Sequence, residues 1–228
     1  MSWESSAEYY RLVNEGVKAR LGGLHSAKCL MYSVDFAEIE RYQHAGQWAE
    51  AGNMLAQAAR ALALGGAECV ILCTNTMHKV ADAITADLSI PFLHIADATT
   101  ERVKARGLAR VGLLGTAFTM EQDFYKGRLT GKYGLDVLIP EEADRRIVHR
   151  VIYDELCLGQ VLPESKAEYV RVMRSLIERG AQGLILGCTE IMLLVGQADV
   201  NVPVFDTTTI HAEAAVDFAL SGVAQGVL

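Results

Sequence analysis

The sequence of 228 residues lacks several features that would assign it to other classes of protein. It has no basic run, and its formal net charge of -7 argues against binding to nucleic acid or to anionic membranes. No apolar stretch approaches the roughly 20 residues that span a bilayer. Residues 1–4 do not resemble a signal peptide. We therefore expect a soluble, cytoplasmic protein, large enough for one domain or for two lobes.

Cysteine is too scarce and too scattered for a disulfide framework, because the five cysteines are an odd number without a Cys-x-x-Cys pair. Cys29, Cys69 and Cys73 lie in or beside apolar runs, and Cys157 lies late in a predicted helix. Each is therefore expected to be a small buried hydrophobic residue. A zinc site built from Cys69, Cys73 and His78 is an alternative, but it lacks the paired spacing of such sites. No G-x-G-x-x-G follows a predicted strand, and we expect no cofactor.

One stretch of the chain occurs twice. Residues 60–76 align without gaps with residues 174–190, at an offset of 114. Both copies contain a helix end, a glycine, a short apolar run and then polar or reactive residues. This pattern predicts a helix that leads into a buried parallel strand with reactive residues at its carboxyl end. Six of the 17 aligned positions are identical: Arg60/Arg174, Leu62/Leu176, Gly66/Gly180, Ala67/Ala181, Ile71/Ile185 and Leu72/Leu186.

Strands alternate with helices along the chain, which is typical of an α/β fold with parallel sheets flanked by helices. Because the repeat places reactive residues at two equivalent strand ends, it predicts two lobes that face one substrate. We assign residues 1–96 plus 207–228 to the N-terminal lobe and residues 97–206 to the C-terminal lobe. Ligands of such folds bind at the carboxyl ends of the strands.

Two further predictions concern the first lobe. Residues 28–34 have the apolar character of a strand. The strand predicted at residues 111–115 would have its equivalent, after subtraction of 114, at positions -3 to 1. We therefore expect that a short apolar strand ending in glycine precedes Met1 in the natural protein. The alternative is that the two lobes differ at this point.

Polar residues follow both repeated strands and can carry chemistry. Asn75 and Thr76 follow the first strand, and Thr189 and Glu190 follow the second. Free backbone N–H groups and side-chain donors at such turns can hold a carboxylate, although ordinary helix capping is the alternative. Cys188 lies between the second strand and a predicted helix start, a setting that lowers the pKa of a thiol and favours the thiolate.

The two motifs resemble the paired signatures of the aspartate/glutamate racemase family, and the likeness extends over essentially the whole chain. This resemblance implies two pseudo-symmetric α/β lobes with an acidic amino acid held in the cleft between them, and a homodimer. It also implies an isomerase that racemises aspartate or glutamate without pyridoxal phosphate or metal. Met1 and Ser2 resemble the loop after a family Gly-Gly turn, which places them in the substrate site. The motifs are Leu72-Cys73-Thr74-Asn75-Thr76-Met77-His78 and Leu186-Gly187-Cys188-Thr189-Glu190-Ile191.

The chain departs from the family in its first signature. Racemisation without a cofactor needs a base on one face of the α-carbon and an acid on the other, and family members typically use two cysteines. Here the repeat pairs Cys188 with Thr74, whereas Cys73 pairs with Gly187. Because neighbouring residues of a regular strand point to opposite faces, Cys73 and Thr74 cannot both face the substrate. We assign Cys188 and Thr74 as the catalytic pair, with a preference for the L enantiomer.

Two more residues are candidates for substrate binding. By the resemblance, Lys166 lies where a basic residue is placed for the side-chain carboxylate of the substrate, although it can equally be a solvated surface lysine. Gln43 lies where some relatives have an arginine. A neutral donor at that position weakens the requirement for a second carboxylate. The substrate range therefore stays open.

Histidines are weaker candidates. His78 and His211 lie near predicted helix starts, where they could orient a thiolate or an acid, but a structural role is the favoured interpretation for both and for His94. Glu190 is a better candidate to tune Cys188 or to hold the ammonium group of the substrate. A first-turn helix carboxylate is its alternative role.

Two other functions remain open. A related enzyme of the hydantoin racemase or decarboxylase type would keep the fold and the deprotonation chemistry but act on another carboxylate. A non-catalytic protein could instead bind an acidic amino acid, and Thr74 would then mark the loss of one base. Exchange of the substrate α-proton in deuterated water separates these hypotheses, because a pure binding protein catalyses none.

Overall fold

The computed structural model describes residues 1–221 and confirms the α/β class, with parallel sheets flanked by helices. The chain divides into two compact units. The first unit comprises Met1–Cys73, Met77–His94 and the described part of His211–Leu228. The second unit comprises Thr74–Thr76 and Ile95–Ile210. Thr74–Thr76 therefore groups with the second unit, although the strand before it belongs to the first.

The α-helices make up most of the regular structure of residues 1–221. Their starts follow capping rules: Ser2 Oγ accepts the Ser5 N–H at the first helix, and Asp35 accepts the Ala37 N–H at the second. No helix in this part of the chain is long and apolar enough to cross a bilayer. The helices are α1 (Trp3–Leu21), α2 (Phe36–His44), α3 (Trp48–Leu64), α4 (Ala81–Thr85), α5 (Ile95–Ala105), α6 (Ala117–Glu121), α7 (Asp123–Gly127), α8 (Glu142–Asp154), α9 (Pro163–Glu178) and α10 (Thr207–Leu220).

Short 3-10 helices and one π-helix complete the helical structure of residues 1–221. The 3-10 helices are Thr76–Val80, Leu156–Leu158, Ile191–Leu193 and Gln197–Asp199, and Arg128–Lys132 is a π-helix.

The second unit contains a four-stranded parallel sheet in the order β4-β3-β5-β6. Of its two central strands, β5 is buried throughout, as expected for a parallel sheet covered on both faces. Two apolar clusters pack on the sheet. One contains Leu114 and Leu186, and the other contains Val111, Leu113 and Ile185. The strands are β3 (Arg110–Gly115), β4 (Asp136–Leu138), β5 (Leu184–Gly187) and β6 (Val204–Asp206).

The first unit has a smaller sheet, in which β1 (Val70–Ile71) pairs in parallel with β2 (Phe92–Leu93). Its core consists mainly of helix side chains packed around this pair, including Ile39, Leu55 and Met77. The apolar area that these residues remove from water stabilises the unit, at about 25 cal/mol per Å².

The strand predicted at residues 28–34 is wrong. These residues belong to no helix and no sheet, and Leu30, Met31 and Tyr32 are each more than half exposed. A strand needs a neighbour for its backbone N–H and C=O groups, and none of the described strands lies beside this segment. Cys29 is exposed for the same reason, contrary to the expectation of a buried residue, and Cys69, Cys73 and Cys157 are only partly buried.

Candidate active site

Polar residues cluster at the carboxyl edge of the sheet in the second unit, directly after β3, β5 and β6. Two glycines allow β3 and β5 to approach closely at this edge. A Cβ atom on Gly115 would lie 2.8 Å from the carbonyl oxygen of Gly187, and a Cβ atom on Gly187 would lie 3.0 Å from that of Leu114. The first residues after these strands, Thr116 and Cys188, are therefore held side by side by the ladder.

Cys188 and Glu190 form a buried pair after β5. The Sγ atom of Cys188 lies 3.0 Å from Oε2 of Glu190, and the hydroxyl of Thr189 donates to the same oxygen at 2.8 Å. All three residues are at most 8% exposed. Because a carboxylate is an acceptor, the thiol is the donor of this contact, and Glu190 is placed to receive its proton.

The pKa of the Cys188 thiol is raised well above its usual value, contrary to the expected lowering. Burial is the main cause, and the negative charge of Glu190 adds to it. The backbone N–H of Glu190 acts in the opposite direction but does not compensate. The sequence predicted a helix start here, but the structure has a 3-10 helix of three residues, Ile191–Leu193, whose dipole is small. Cys188 is thus a protonated thiol in the resting protein.

Asn75 is joined to the same polar cluster by a relay of two hydrogen bonds through Thr207. Its Nδ2 group donates to Oγ1 of Thr207 at 3.0 Å, and that hydroxyl donates to the backbone oxygen of Leu186 at 2.7 Å. Leu186 precedes Cys188 by two residues. The Oδ1 atom of Asn75 is buried and has no hydrogen-bond partner among the described residues. A buried acceptor of this kind is suited to a ligand that brings a donor, such as an ammonium group.

Three threonine hydroxyls form a second part of the cluster. Thr76 Oγ1 lies 3.0 Å from Oγ1 of Thr116 and 3.4 Å from Oγ1 of Thr119, and the latter two are 3.2 Å apart. Thr74 is also buried and belongs to the same unit. Sequence reasoning missed Thr116, Thr119 and Thr207. The signal that could have found them was their position at or soon after the ends of predicted strands. Residues 207–209 are also a run of three threonines.

Met1 and Ser5 both contact the backbone of Cys73 in the first unit. The N-terminal ammonium of Met1 donates to the Cys73 carbonyl oxygen at 2.5 Å, and the hydroxyl of Ser5 donates to the same oxygen at 3.0 Å. Ser2 is buried and its hydroxyl caps α1. Burial raises the pKa of the Cys73 thiol to about 11, against the smaller opposite effect of the Met1 ammonium, so this residue too is a neutral thiol.

Lys166 and Gln43 each contact another side chain of the protein. Lys166, in the first turn of α9, forms an ion pair with Asp199 at 3.0 Å and is about half exposed. Gln43 is buried in the first unit, where its Nε2 group lies 3.0 Å from the sulfur of Met77.

Three histidines and a tyrosine pack together in the first unit. The ring of His78 lies 4.4 Å from that of His94 and 6.0 Å from that of His211, measured between centroids. The His211 Nε2 group donates to the Leu93 carbonyl oxygen at 2.8 Å, and Nδ1 lies 2.8 Å from the hydroxyl of Tyr9. Burial lowers the pKa of His211 to about 4, so the ring is neutral and Nδ1 accepts from Tyr9. The arrangement supports the structural interpretation of His211.

This buried neutral histidine predicts a stability that depends on pH. Between pH of about 6.5 and about 4 the unfolded chain binds a proton at His211 and the folded chain does not, so stability falls as the pH is lowered through this window. The pKa difference corresponds to about 3 kcal/mol at most. Denaturant titrations at several pH values measure the effect. His211→Gln is expected to flatten the dependence, whereas His25→Gln, at an exposed position, is not. An unchanged slope in His211→Gln would contradict this assignment.

Within residues 1–221 no group of three or more His, Cys, Asp or Glu side chains could hold a metal ion. The zinc site considered for Cys69, Cys73 and His78 is therefore not formed.

Comparisons with known proteins show which family the chain resembles over its length. A candidate Asp/Glu racemase from Yersinia pestis is 56% identical, and its crystal structure has a TM-score of 0.90 over 96% of both chains. An aspartate racemase homologue from Pyrococcus horikoshii is 34% identical, with a TM-score of 0.83 over 95% of this chain and 94% of the other. The aspartate racemase of Picrophilus torridus is 21% identical, with a TM-score of 0.73 over 95% and 89% of the chains, and shares the fold. The model of the family described as Asp/Glu/hydantoin racemase matches residues 1–215, and the chain therefore belongs to that family.

Proposed function

We propose that the protein racemises aspartate, glutamate or both, without pyridoxal phosphate, by removing the α-proton from one face and returning a proton to the other. The observation that carries this proposal is the buried contact of 3.0 Å between Cys188 and Glu190 at the end of β5. A thiol beside a carboxylate, within a cluster of hydrogen-bonding side chains, is suited to proton transfer at carbon.

Cys188 is the base in this mechanism. Since the pKa of its thiol is raised, the thiolate must be generated when substrate is present, and Glu190 is the acceptor within reach. The S–H bond breaks as the proton moves to Glu190 Oε2. The thiolate then removes the α-proton of the L enantiomer, and the electron pair left on the α-carbon is delocalised into the α-carboxylate.

Thr74 supplies the new proton on the opposite face. The sequence repeat supports this role, because Thr74 is the counterpart of Cys188. A hydroxyl is a much weaker acid than a thiol, so its alkoxide must regain a proton from solvent, while protonated Glu190 returns its proton to solvent and the resting state is restored. For the same reason Thr74 is a poor base, and removal of the α-proton from the D enantiomer is slow. The enzyme is therefore expected to favour the L enantiomer.

The neighbouring polar groups bind the amino acid. The unpartnered Oδ1 of Asn75 is suited to the substrate ammonium, and the hydroxyl of Thr76 and the backbone at Thr189 to the α-carboxylate. Lys166 would release Asp199 to bind the side-chain carboxylate. Met1, Ser2 and Gln43 complete the proposed binding set. Family membership further supports a homodimer that acts in the cytoplasm on a small acidic amino acid.

Exchange of the α-proton in deuterated water tests the proposal. We expect the α-proton signal of L-aspartate or L-glutamate to disappear from the proton NMR spectrum in the presence of the protein, and the D enantiomer to appear by chiral chromatography. Binding of either amino acid without any exchange would contradict the proposal and favour a binding protein. Exchange confined to a 5-substituted hydantoin or another carboxylate would instead favour the related enzymes, consistent with the breadth of the family description.

A further inference from the structure

The orientation of the Asn75 side-chain amide depends on Thr207. Both residues belong to the second unit, and both are buried. The Nδ2 group of Asn75 donates to Oγ1 of Thr207 at 3.0 Å, whereas the Oδ1 atom has no hydrogen-bond partner among the described residues. The two ends of an amide have nearly the same shape but opposite hydrogen-bonding character, so a neighbouring group must decide which end faces which way.

The sheet of the second unit places Thr207 beside the end of β5. Asp206, the last residue of β6, is the ladder partner of Leu186, and Thr207 follows it directly. The Asp206 carboxylate accepts the backbone N–H of Thr208 at 3.0 Å and that of Thr209 at 3.4 Å, which fixes the turn from the strand into α10. The Thr207 hydroxyl therefore lies within 2.7 Å of the backbone oxygen of Leu186.

The hydrogen of the Thr207 hydroxyl is used in the contact with Leu186. A backbone carbonyl oxygen can only accept, so the hydroxyl must be the donor of this hydrogen bond. Because a hydroxyl has a single hydrogen, it can present only a lone pair to Asn75. The group that faces this lone pair must be a donor, which in Asn75 is Nδ2. The relay therefore runs in one direction and leaves the acceptor Oδ1 for a ligand.

The reversed orientation of the Asn75 amide is unfavourable for two reasons. Its Oδ1 atom and the Thr207 oxygen would be two acceptors in contact, without a hydrogen atom between them. The NH2 group would also lose its acceptor. Because Asn75 is buried, bulk water does not take the place of that acceptor, and a buried polar group without a partner retains the full desolvation penalty.

We propose that Thr207 is a specificity-determining residue, which positions the Asn75 amide so that the site accepts an amino group and rejects a keto oxygen at the α-carbon of a dicarboxylic acid. This inference rests on the proposed function, in which Oδ1 of Asn75 binds the substrate ammonium. An amino acid and the keto acid formed from it by transamination share both carboxylates and differ only at this group. The keto oxygen would face Oδ1, another acceptor, and the Thr207 relay opposes the reversal of the amide that would relieve the conflict.

Equilibrium binding of ligands that differ only at the α-carbon tests the role of Thr207. L-Glutamate carries an ammonium group there, 2-oxoglutarate a keto oxygen, and glutarate neither. L-Aspartate, oxaloacetate and succinate form the corresponding shorter series. Isothermal titration calorimetry in the Cys188→Ala background avoids turnover of the amino acids. With Thr207 in place, we expect the keto acid to bind at least about tenfold more weakly than the unsubstituted acid of the same series.

Thr207→Val removes the hydroxyl and keeps the branched shape of the side chain. The Asn75 amide can then reverse without placing two acceptors together, so we expect the affinity for the keto acid to rise at least about tenfold relative to that for the unsubstituted acid. Thr207→Ser keeps a hydroxyl at this position and is expected to keep the original ratio. Thr209→Val is the matched control, because it removes from the same helix a hydroxyl that is bonded to Asp206 rather than to Asn75.

Three results would overturn the role of Thr207. The first is a ratio of keto to unsubstituted acid that stays the same in Thr207→Val or changes equally in Thr209→Val. The second is a keto acid that binds as tightly as the unsubstituted acid while Thr207 is in place, and this comparison needs no folded valine variant. The third is an absence of binding by all six ligands. Failure of the racemase proposal is a different result, because it is seen as missing α-proton exchange in the unaltered protein, on which these equilibrium ratios do not depend.

Discussion

Replacing Cys188 with alanine is expected to abolish α-proton exchange on aspartate and glutamate, with a loss of about 10³-fold or more. The reason is that the group assigned to remove the α-proton would be gone: Glu190 would keep its carboxylate, but its role is to accept the thiol proton across the 3.0 Å contact. Single-turnover exchange in deuterated water, followed by proton NMR, measures the loss without interference from product release.

Cys157→Ala is the matched control for this experiment. Cys157 is partly buried and packs on the same apolar cluster as Cys188, so both variants remove one sulfur atom from a similar environment. The control is expected to retain activity and to lose a similar amount of stability. Activity above about a tenth of the wild-type value in Cys188→Ala would exclude Cys188 as the base.

Replacing Thr74 with cysteine is expected to open the D-to-L direction. A thiol at this position could form a thiolate and remove the α-proton of the D enantiomer, which a threonine hydroxyl does poorly. General acid–base groups contribute about 10²- to 10⁴-fold, so we expect D-substrate turnover to rise by about 10²-fold. Initial rates with each enantiomer, measured by chiral chromatography, separate the two directions.

Cys73→Ala decides between the two neighbouring residues. The contacts of Cys73 with Met1 and Ser5 use its backbone oxygen and survive the substitution, so this variant should retain activity if Thr74 is the acid. Unchanged D-substrate turnover in Thr74→Cys, together with loss of activity in Cys73→Ala, would reverse the assignment.

Much of the fold was accessible from periodicity and repetition. Strands after glycine turns, such as β3 and β5, were predictable because a short apolar run between helix-like segments has few other interpretations. The same reasoning predicted a strand at residues 28–34, and that prediction was wrong. Apolar content alone does not make a strand, since the ladder requires a partner that local sequence does not reveal.

The candidate site was only partly predictable for an electrostatic reason. Position after a strand located Cys188 and Glu190, but the pKa of the thiol depends on burial and on the carboxylate 3.0 Å away, which are tertiary properties. The relay from Asn75 through Thr207 to Leu186 joins residues more than 100 positions apart in sequence, so no local pattern could indicate it.

The close approach of β3 and β5 at Gly115 and Gly187 limits how this enzyme could be redesigned. With 2.8 Å between a Cβ atom on Gly115 and the opposing carbonyl oxygen, no side chain can be introduced at the strand ends themselves to reshape the ligand site. Efforts to alter substrate range would have to work on the residues that follow the strands, such as Thr116 and Thr207, whose side chains lie in the polar cluster at the carboxyl edge of the sheet.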